Sequence, residues 1–338
     1  MLEKPDLPDN LINKSVQAEY GLDITQVTFL PLGYDMNTAV FRVDTHDGAT
    51  YFLKLRKGLF DQITVAAPRF LSSLGIQAII PPLKTQNNQL FGRLTDYCMI
   101  LYPFIPGKDG YQKKLTDYHW IELGRTLKMV HNAQVPPALI PLIPCETYDP
   151  QWSESVKQFQ EQVETMIFAD PIAERLSTSM KRKRQVISHM VRRVEELSGL
   201  LSEQPGFFVM CHSDAHPGNF LISDKGDLYL VDWDNPIFAP KERDLMFFGS
   251  GMSGNPPGGR EESLFYQGYG DVEIDQSALI YYRYERIIQD IAEFCTQILL
   301  NRSGGEDRLQ SYKYFVSSFS AGNVVDVAFQ TDQLSGFR

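Results

Sequence analysis

The chain reads CHSDAHPGNFLISDKGDLYLVDWD from residue 211 to residue 234. Two short apolar runs flank a turn sequence, Asp224 to Asp227, and this pattern is typical of a β-hairpin. If all four of these residues form the turn, counting back along both strands places Asn219 opposite Asp232. The Cβ atoms of directly opposed residues lie about 4.5 to 5.5 Å apart, so the two side chains are predicted to converge on one ligand.

The side chains at the open end of this hairpin suit magnesium-dependent phosphoryl transfer. Amide and carboxylate oxygens are hard ligands, and Mg²⁺ needs few protein groups because it keeps water and phosphate ligands. Asn219 and Asp232 are therefore our candidate Mg²⁺ ligands. Asp214 follows a predicted strand, Phe207 to Met210, and is expected to stand beside this metal. A carboxylate in that place is suited to accept the proton of an attacking hydroxyl.

These loops resemble those of known kinases. The run H-x-D-x-x-x-x-N at residues 212–219, with a second aspartate after the hairpin, resembles the catalytic and metal-binding loops of protein kinases. Residues 212–222 (HSDAHPGNFLI) and 231–245 (VDWDNPIFAPKERDL) resemble the aminoglycoside phosphotransferase family more closely. Within that family, residues 239–247 and 281–286 look most similar to the spectinomycin phosphotransferase branch. The resemblance extends over most of the chain.

The resemblance implies a role for each polar residue of these loops. Asp214 would be the catalytic base and would also contact the acceptor substrate. Asn219 and Asp232 would hold Mg²⁺ and, with it, the phosphates of the nucleotide. His212 would be a structural residue rather than a reactant, and Asp244 would be a structural acid that braces the catalytic loop. The cofactors implied are ATP and Mg²⁺.

The resemblance also implies an α+β, two-lobed protein-kinase-like fold, with which the sequence patterns agree. The first hundred residues contain short β-branched and apolar runs bounded by Gly or Asp, which predict an antiparallel sheet, and one helical stretch. Two prolines and a glycine lie within Tyr102 to Gly107, and helical periodicity prevails after them. We predict a nucleotide-binding lobe of sheet plus helix over residues 1–103, a hinge around residues 99–107, and a mainly helical catalytic and substrate-binding lobe over residues 108–338.

The nucleotide contacts are predicted to come from the first lobe. Lys54 lies in a predicted strand, where a kinase-like lobe uses a lysine to contact the α- and β-phosphates of ATP. The apolar segment Met99 to Pro103 corresponds to the hinge. We therefore expect the backbone of Met99 and Leu101 to hydrogen-bond the adenine ring.

Two features depart from the protein-kinase pattern. The phosphate-covering loop, residues 32–39, has a single glycine where protein kinases have three. No glutamate lies between Lys54 and Gly75, so the usual lysine–glutamate ion pair is missing from its expected place. We expect Asp61 to substitute for that glutamate.

The acceptor is predicted to bind an acidic and aromatic region. Between Arg260 and Asp290 the chain has seven carboxylates, three arginines and five tyrosines. Such a surface suits a polyhydroxylated cation through ion pairs and cation–π contacts. Tyr266, Glu285 and Asp290 are our candidate substrate residues. The family resemblance implies that the small-molecule hydroxyl substrate is a cationic aminocyclitol or aminoglycoside such as spectinomycin, with antibiotic resistance as the role.

The sequence leaves three other interpretations open. Choline, homoserine and methylthioribose kinases share the scaffold and the loops, so a metabolic kinase is the first. A nucleotide-binding pseudo-enzyme is the second, because the covering loop has few glycines and the glutamate is missing. The third is a metal hydrolase in which His212, Asp214 and His216, alternating on an extended segment, face one ion.

Composition narrows the class of partner. The formal net charge of −10 and the pI near 5.1 argue against a nucleic-acid-binding protein. The sequence begins with acidic residues and prolines rather than the features of a signal peptide, and no window of about eighteen residues is uninterruptedly apolar. We therefore expect a cytoplasmic protein with no membrane partner. No feature points to a particular oligomeric state.

Overall fold

The structure is a computed structural model whose backbone forms two compact units. The residues that it describes are 2–33, 35–203, 206–248, 259–301 and 304–334. The first unit comprises residues 1–144 and 214–236, and the second comprises residues 145–213 and 237–338. The predicted hinge at residues 99–107 lies inside the first unit, so a lobe boundary there stays a prediction.

Strands and helices are numbered here in chain order. The strands are β1 (Ile24–Leu30), β2 (Thr38–Thr45), β3 (Thr50–Lys57), β4 (Gly92–Leu94), β5 (Tyr97–Pro103), β6 (Gly107–Asp109), β7 (Phe208–Cys211), β8 (Phe220–Ser223), β9 (Leu228–Leu230) and β10 (Ile237–Pro240). The helices are α1 (Asp9–Tyr20), α2 (Ile63–Ser73), α3 (Asp117–His131), α4 (Gln151–Thr165), α5 (Pro171–Glu203), α6 (Glu242–Leu245), α7 (Arg260–Tyr269), α8 (Gln276–Cys295), α9 (Gly305–Ser318) and α10 (Val324–Leu334).

The main sheet of the first unit is antiparallel, with the strand order β1-β2-β3-β5-β4. Successive residues of a strand point to opposite faces, so Leu53 and Leu55 of β3 share one face while Lys54 and Arg56 share the other. Leu53 and Leu55 are fully buried in a core with Ile12 of α1, a helix that we did not predict. Lys54 therefore lies on the sheet face opposite this core.

The hairpin β8–β9 differs from its predicted register by one residue. Ile222 pairs with Leu228 and Phe220 with Leu230, and the Ser223 N–H donates to the Asp227 carbonyl at 2.8 Å, so the turn consists of the three residues 224–226. The prediction that Asn219 opposes Asp232 is therefore wrong. The reason is Gly226, whose φ of +91° is left-handed and ends a three-residue hairpin loop. Asn219 instead accepts a hydrogen bond from the backbone N–H of Val231, at 3.0 Å.

The second unit is mainly helical. Helices α4 and α5 pack against α8, and the two short strands β7 and β10 pair antiparallel with Cys211 opposite Ile237. Among the described residues, no helix combines the length and the apolar character needed to cross a bilayer. The sheet of the first unit and the helices of the second confirm the α+β character that the sequence predicts.

Candidate active site

Lys54 is held between two carboxylates of the first unit. Its Nζ donates to Asp232 Oδ1 at 2.8 Å and to Asp234 Oδ2 at 2.7 Å. The lysine is only 8% exposed. An ammonium that leaves water needs such partners, because its desolvation is costly. The two aspartates thus offset the cost of burying a positive charge on β3.

The protonation of this group follows from its neighbours. Burial by itself would lower the pKa of Lys54, but Asp232 and Asp234 outweigh burial and raise that pKa above its ordinary value. Burial and the adjacent Asp232 raise the pKa of Asp234, and Lys54 and Arg56 oppose that shift. The lysine is therefore a permanent cation at neutral pH, as a contact to phosphate requires.

The segment after β9 turns sharply to present both aspartates. Asp232 has a φ of +66°, a left-handed conformation that costs a non-glycine residue about 1 kcal/mol or more. Trp233 is buried, and its indole N–H donates to the carbonyl of Leu230 at 3.1 Å. The tryptophan thereby anchors the segment between Asp232 and Asp234.

Asp214 and Asn219 contact each other in the first unit. The amide nitrogen of Asn219 donates to the Asp214 carbonyl at 2.8 Å and to its carboxylate Oδ2 at 3.2 Å. This fixes the orientation of the Asn219 amide, whose oxygen takes no part in these two bonds. That oxygen and the carboxylate of Asp232 are the hard donors that Mg²⁺ prefers. The residues present fit a magnesium ion.

His216 lies beside the predicted base. Its Nδ1 accepts from the backbone N–H of Gly218 at 3.0 Å, and its Nε2 is 3.7 Å from Asp214 Oδ2. Because Nδ1 is an acceptor, the proton of the neutral ring is on Nε2, the atom nearest the carboxylate. The ring of Tyr111 stacks on His216 with a centroid distance of 6.1 Å.

His212 and Asp244 form a separate buried arrangement in the second unit. Asp244 accepts from the backbone N–H of His212 at 2.8 Å and from that of Ser213 at 2.6 Å, one bond to each carboxylate oxygen. His212 and Asp244 are fully buried, and Ser213, the residue before Asp214 in the chain, has a left-handed φ of +67°. These are the hydrogen bonds that the predicted bracing role of Asp244 requires.

Asp61 has a different partner from the predicted one. Its Oδ1 accepts from the backbone N–H of Ile63 at 3.1 Å, at the start of α2. The carboxylates in contact with Lys54 are those of Asp232 and Asp234. The structure therefore does not bring Asp61 and Lys54 together.

The backbone carbonyls of Met99 and Leu101 are already occupied. The Met99 carbonyl accepts from the hydroxyl of Tyr20 at 3.0 Å, and the Leu101 carbonyl accepts from the N–H of Leu83 at 2.7 Å. Both face the strand edge away from β3. By alternation Pro103 is the next residue to face that edge, since the N–H of Phe104 donates back to Thr50. Tyr34, in the covering loop, lies outside the described residues.

The three candidate substrate residues all belong to the second unit. Glu285 is buried and pairs with Arg243 at 3.2 Å, and burial raises the pKa of Glu285. Asp290 pairs with Arg286 at 3.0 Å on α8. Tyr266 lines a cavity of about 350 Å³. The other four tyrosines of the predicted aromatic surface are buried, so that expectation is wrong for Tyr269, Tyr281, Tyr282 and Tyr284.

Sequence reasoning missed Asp234 and Arg56. Arg56 Nη1 lies 3.3 Å from the same Asp234 oxygen that Lys54 contacts. Two signals were present: the Asp-x-Asp spacing of Asp232 and Asp234, and the spacing of two between Lys54 and Arg56, which places both cations on one strand face.

The chain is similar to known proteins in sequence and in structure. A model for a phosphotransferase enzyme family matches residues 27–273. The chain is similar to a solved spectinomycin phosphotransferase in complex with ADP and spectinomycin, with 35% identity over 98% of this chain and 100% of that one and a TM-score of 0.89. An AMP-bound spectinomycin phosphotransferase matches with 36% identity over 97% and 100% of the two chains and a TM-score of 0.84.

More distant structures share the fold. A microcompartment-associated aminopropanol kinase is 12% identical over 97% of this chain and 99% of that one, with a TM-score of 0.63. No curated protein matches the chain by sequence. The resemblance predicted from the two loop segments and the predicted protein-kinase-like fold are thus both confirmed.

We predict that Asp244→Asn destabilises the protein. A carboxamide has one acceptor oxygen, so one of the two buried N–H groups would face an amide N–H instead. The free energy of unfolding should fall by about 2 kcal/mol or more, measured by urea denaturation. Asp326→Asn is the matched control, because Asp326 accepts one N–H, from Gly322 at 2.9 Å, in an exposed position. Equal effects of the two substitutions would contradict the bracing role.

Proposed function

The chain belongs to this phosphotransferase enzyme family, and from that premise we propose that it transfers the γ-phosphoryl group of ATP to a hydroxyl of a small cationic aminocyclitol such as spectinomycin. The observation that carries the proposal is the placing of Lys54 between Asp232 and Asp234, in the same unit as the contacting pair Asp214 and Asn219. A fixed cation, oxygen donors for a metal and a carboxylate base are the parts that phosphoryl transfer needs.

Nucleotide binding is supported from two directions. The relatives at 35% and 36% identity were solved with ADP and with AMP. In this chain the ammonium of Lys54 would contact the phosphates, exchanging its contact with Asp232 for phosphate oxygens. The carbonyl of Pro103 is our candidate for a backbone contact to the adenine ring. ATP is abundant in the cytoplasm, where we place the protein.

Magnesium is proposed as the second cofactor. The amide oxygen of Asn219 and the carboxylate of Asp232 would hold it. When bound, the ion neutralises negative charge on the phosphates as the phosphoryl group is transferred. Asn219 also keeps its amide nitrogen on Asp214, so the same side chain that binds the metal orients the base.

Asp214 is proposed as the catalytic base. Its carboxylate would accept the proton of the acceptor hydroxyl as the phosphoryl group is transferred to that oxygen. The hydrogen bond from Asn219 to Oδ2 holds the carboxylate in one orientation. The Nε2 atom of His216 lies 3.7 Å from the same oxygen, so the imidazole is a polar neighbour of the proposed base.

The choice of acceptor rests on the relatives rather than on placed contacts. Identity of 35% over nearly the whole length of both chains supports a spectinomycin-like aminocyclitol. The acidic net charge of −10 is favourable for a cationic substrate. The aminopropanol kinase and other kinases of small amino alcohols share the fold at 11–14% identity. Identity this low does not support an amino alcohol as the acceptor of this chain.

We predict that spectinomycin stimulates ATP consumption by the purified protein in the presence of Mg²⁺. The assay compares spectinomycin with kanamycin, streptomycin, choline, homoserine and methylthioribose, and mass spectrometry detects one added phosphoryl group on the acceptor. If only choline, homoserine or methylthioribose stimulates ATP consumption, the acceptor is a metabolite and not an aminocyclitol. If none of these compounds stimulates ATP consumption, the proposal is contradicted.

We predict that Asp214→Asn lowers kcat by roughly 10²- to 10⁴-fold, because an amide cannot accept the proton of the acceptor. The dissociation constant of ADP with Mg²⁺, measured by calorimetry, should stay within about twofold, because the base does not hold the nucleotide. Asp9→Asn, which removes a surface ion pair with Lys4, is the matched control and should retain wild-type turnover. If the Asp214→Asn variant keeps wild-type turnover, Asp214 is not the catalytic base.

A further inference from the structure

We propose that Asp234 is the positioning residue of Lys54, in place of the glutamate that protein kinases carry on the helix after that lysine. The inference rests on the proposed phosphotransferase function. It concerns one carboxylate to which the kinase-like loop motif assigns no role.

A single oxygen of Asp234 receives two cations. Its Oδ2 is 2.7 Å from Lys54 Nζ and 3.3 Å from Arg56 Nη1. Both cations are on β3 and two residues apart, so they point to the same face of the sheet. Arg56 fixes the carboxylate from one side, and the carboxylate in turn fixes the lysine. The chain thus contains a complete support for the ammonium within one strand and one loop.

Asp232 cannot keep this role during the reaction. It is the proposed magnesium ligand, and its side chain is 45% exposed against 21% for Asp234. If a metal and phosphates occupied the site, Asp232 would bind the metal and would give up its contact with Lys54. Asp234 remains, because Arg56 and the buried Trp233 beside it hold it in place. The ammonium then stays aimed at the phosphates.

The helix after Lys54 offers no alternative carboxylate. Helix α2 reads ITVAAPRFLSS and contains no acid. Asp61, just before it, accepts the N–H of Ile63 through its side chain and the hydroxyl of Thr64 through its carbonyl. Those bonds stabilise the first turn of the helix. Asp234 therefore does the work that a helix glutamate does in protein kinases.

A rival role for Asp234 is direct binding of magnesium, since it stands two residues from Asp232. The two roles differ in what they need. A positioning residue acts through Lys54 and matters even without metal, whereas a metal ligand acts without Lys54 and matters only with metal. A double-mutant cycle separates them, because residues that act through one another have non-additive effects.

The experiment combines Asp234→Asn and Lys54→Met. With Mg²⁺ and saturating acceptor, Asp234→Asn should lower kcat/KM for ATP by roughly tenfold or more in the wild-type background and by about twofold at most in the Lys54→Met background. In EDTA, ADP binding measured by calorimetry should weaken by about threefold or more only when Lys54 is present. Asp61→Asn is the matched control and should leave both readouts within about twofold of wild type.

Equal losses in both backgrounds, or an effect confined to solutions with magnesium, would overturn the proposal. Thermal denaturation first checks that each variant is folded. If Asp234→Asn does not fold, Arg56→Gln replaces it and should show a smaller loss that also depends on Lys54. If no acceptor supports turnover, the proposed function fails on that result, and the ADP measurement in EDTA still decides whether Asp234 acts through Lys54.

Discussion

One buried ammonium constrains the candidate site. Lys54 has left water on a central strand of the sheet, and the cost of removing its charge from solvent is offset by the carboxylates of Asp232 and Asp234. That requirement fixes the end of the β8–β9 hairpin relative to β3. It also assembles positive and negative groups in the arrangement that a nucleotide phosphate and a metal would use. Stability and function therefore depend on the same ion pairs.

Two residues that adjoin the proposed base and metal ligand have backbone conformations that non-glycine residues rarely adopt. Ser213 and Asp232 both have a left-handed φ. The backbone N–H of Ser213 donates to the buried Asp244 carboxylate, and the indole of Trp233, next to Asp232, donates to the Leu230 carbonyl. Strain of this kind persists only where the surroundings over-determine it. The residues next to the proposed base and metal are therefore fixed by positions that lie outside the chemistry, Asp244 and Trp233.

The sequence predicts the fold class and the identity of the main groups but not their fine placement. The strand-turn-strand pattern places Asn219 and Asp232 at one end of a hairpin, yet the register is off by one because Gly226 closes a three-residue turn. The role of Asp234 is not predicted, because in the protein-kinase pattern the partner of the lysine is a glutamate on the following helix. Helix α8 is buried on nearly all sides, so Tyr281 and its neighbouring tyrosines form core rather than a binding surface.

In the proposed mechanism, Asp214 prepares an acceptor hydroxyl for direct attack on the γ-phosphorus of ATP. The stereochemical course at that phosphorus tests it most directly, with ATP made chiral at the γ-phosphate by oxygen isotopes and spectinomycin as the acceptor. A single in-line displacement predicts inversion of configuration in the phosphorylated product. Retention of configuration would require an intermediate phosphorylated on the protein and would contradict this mechanism.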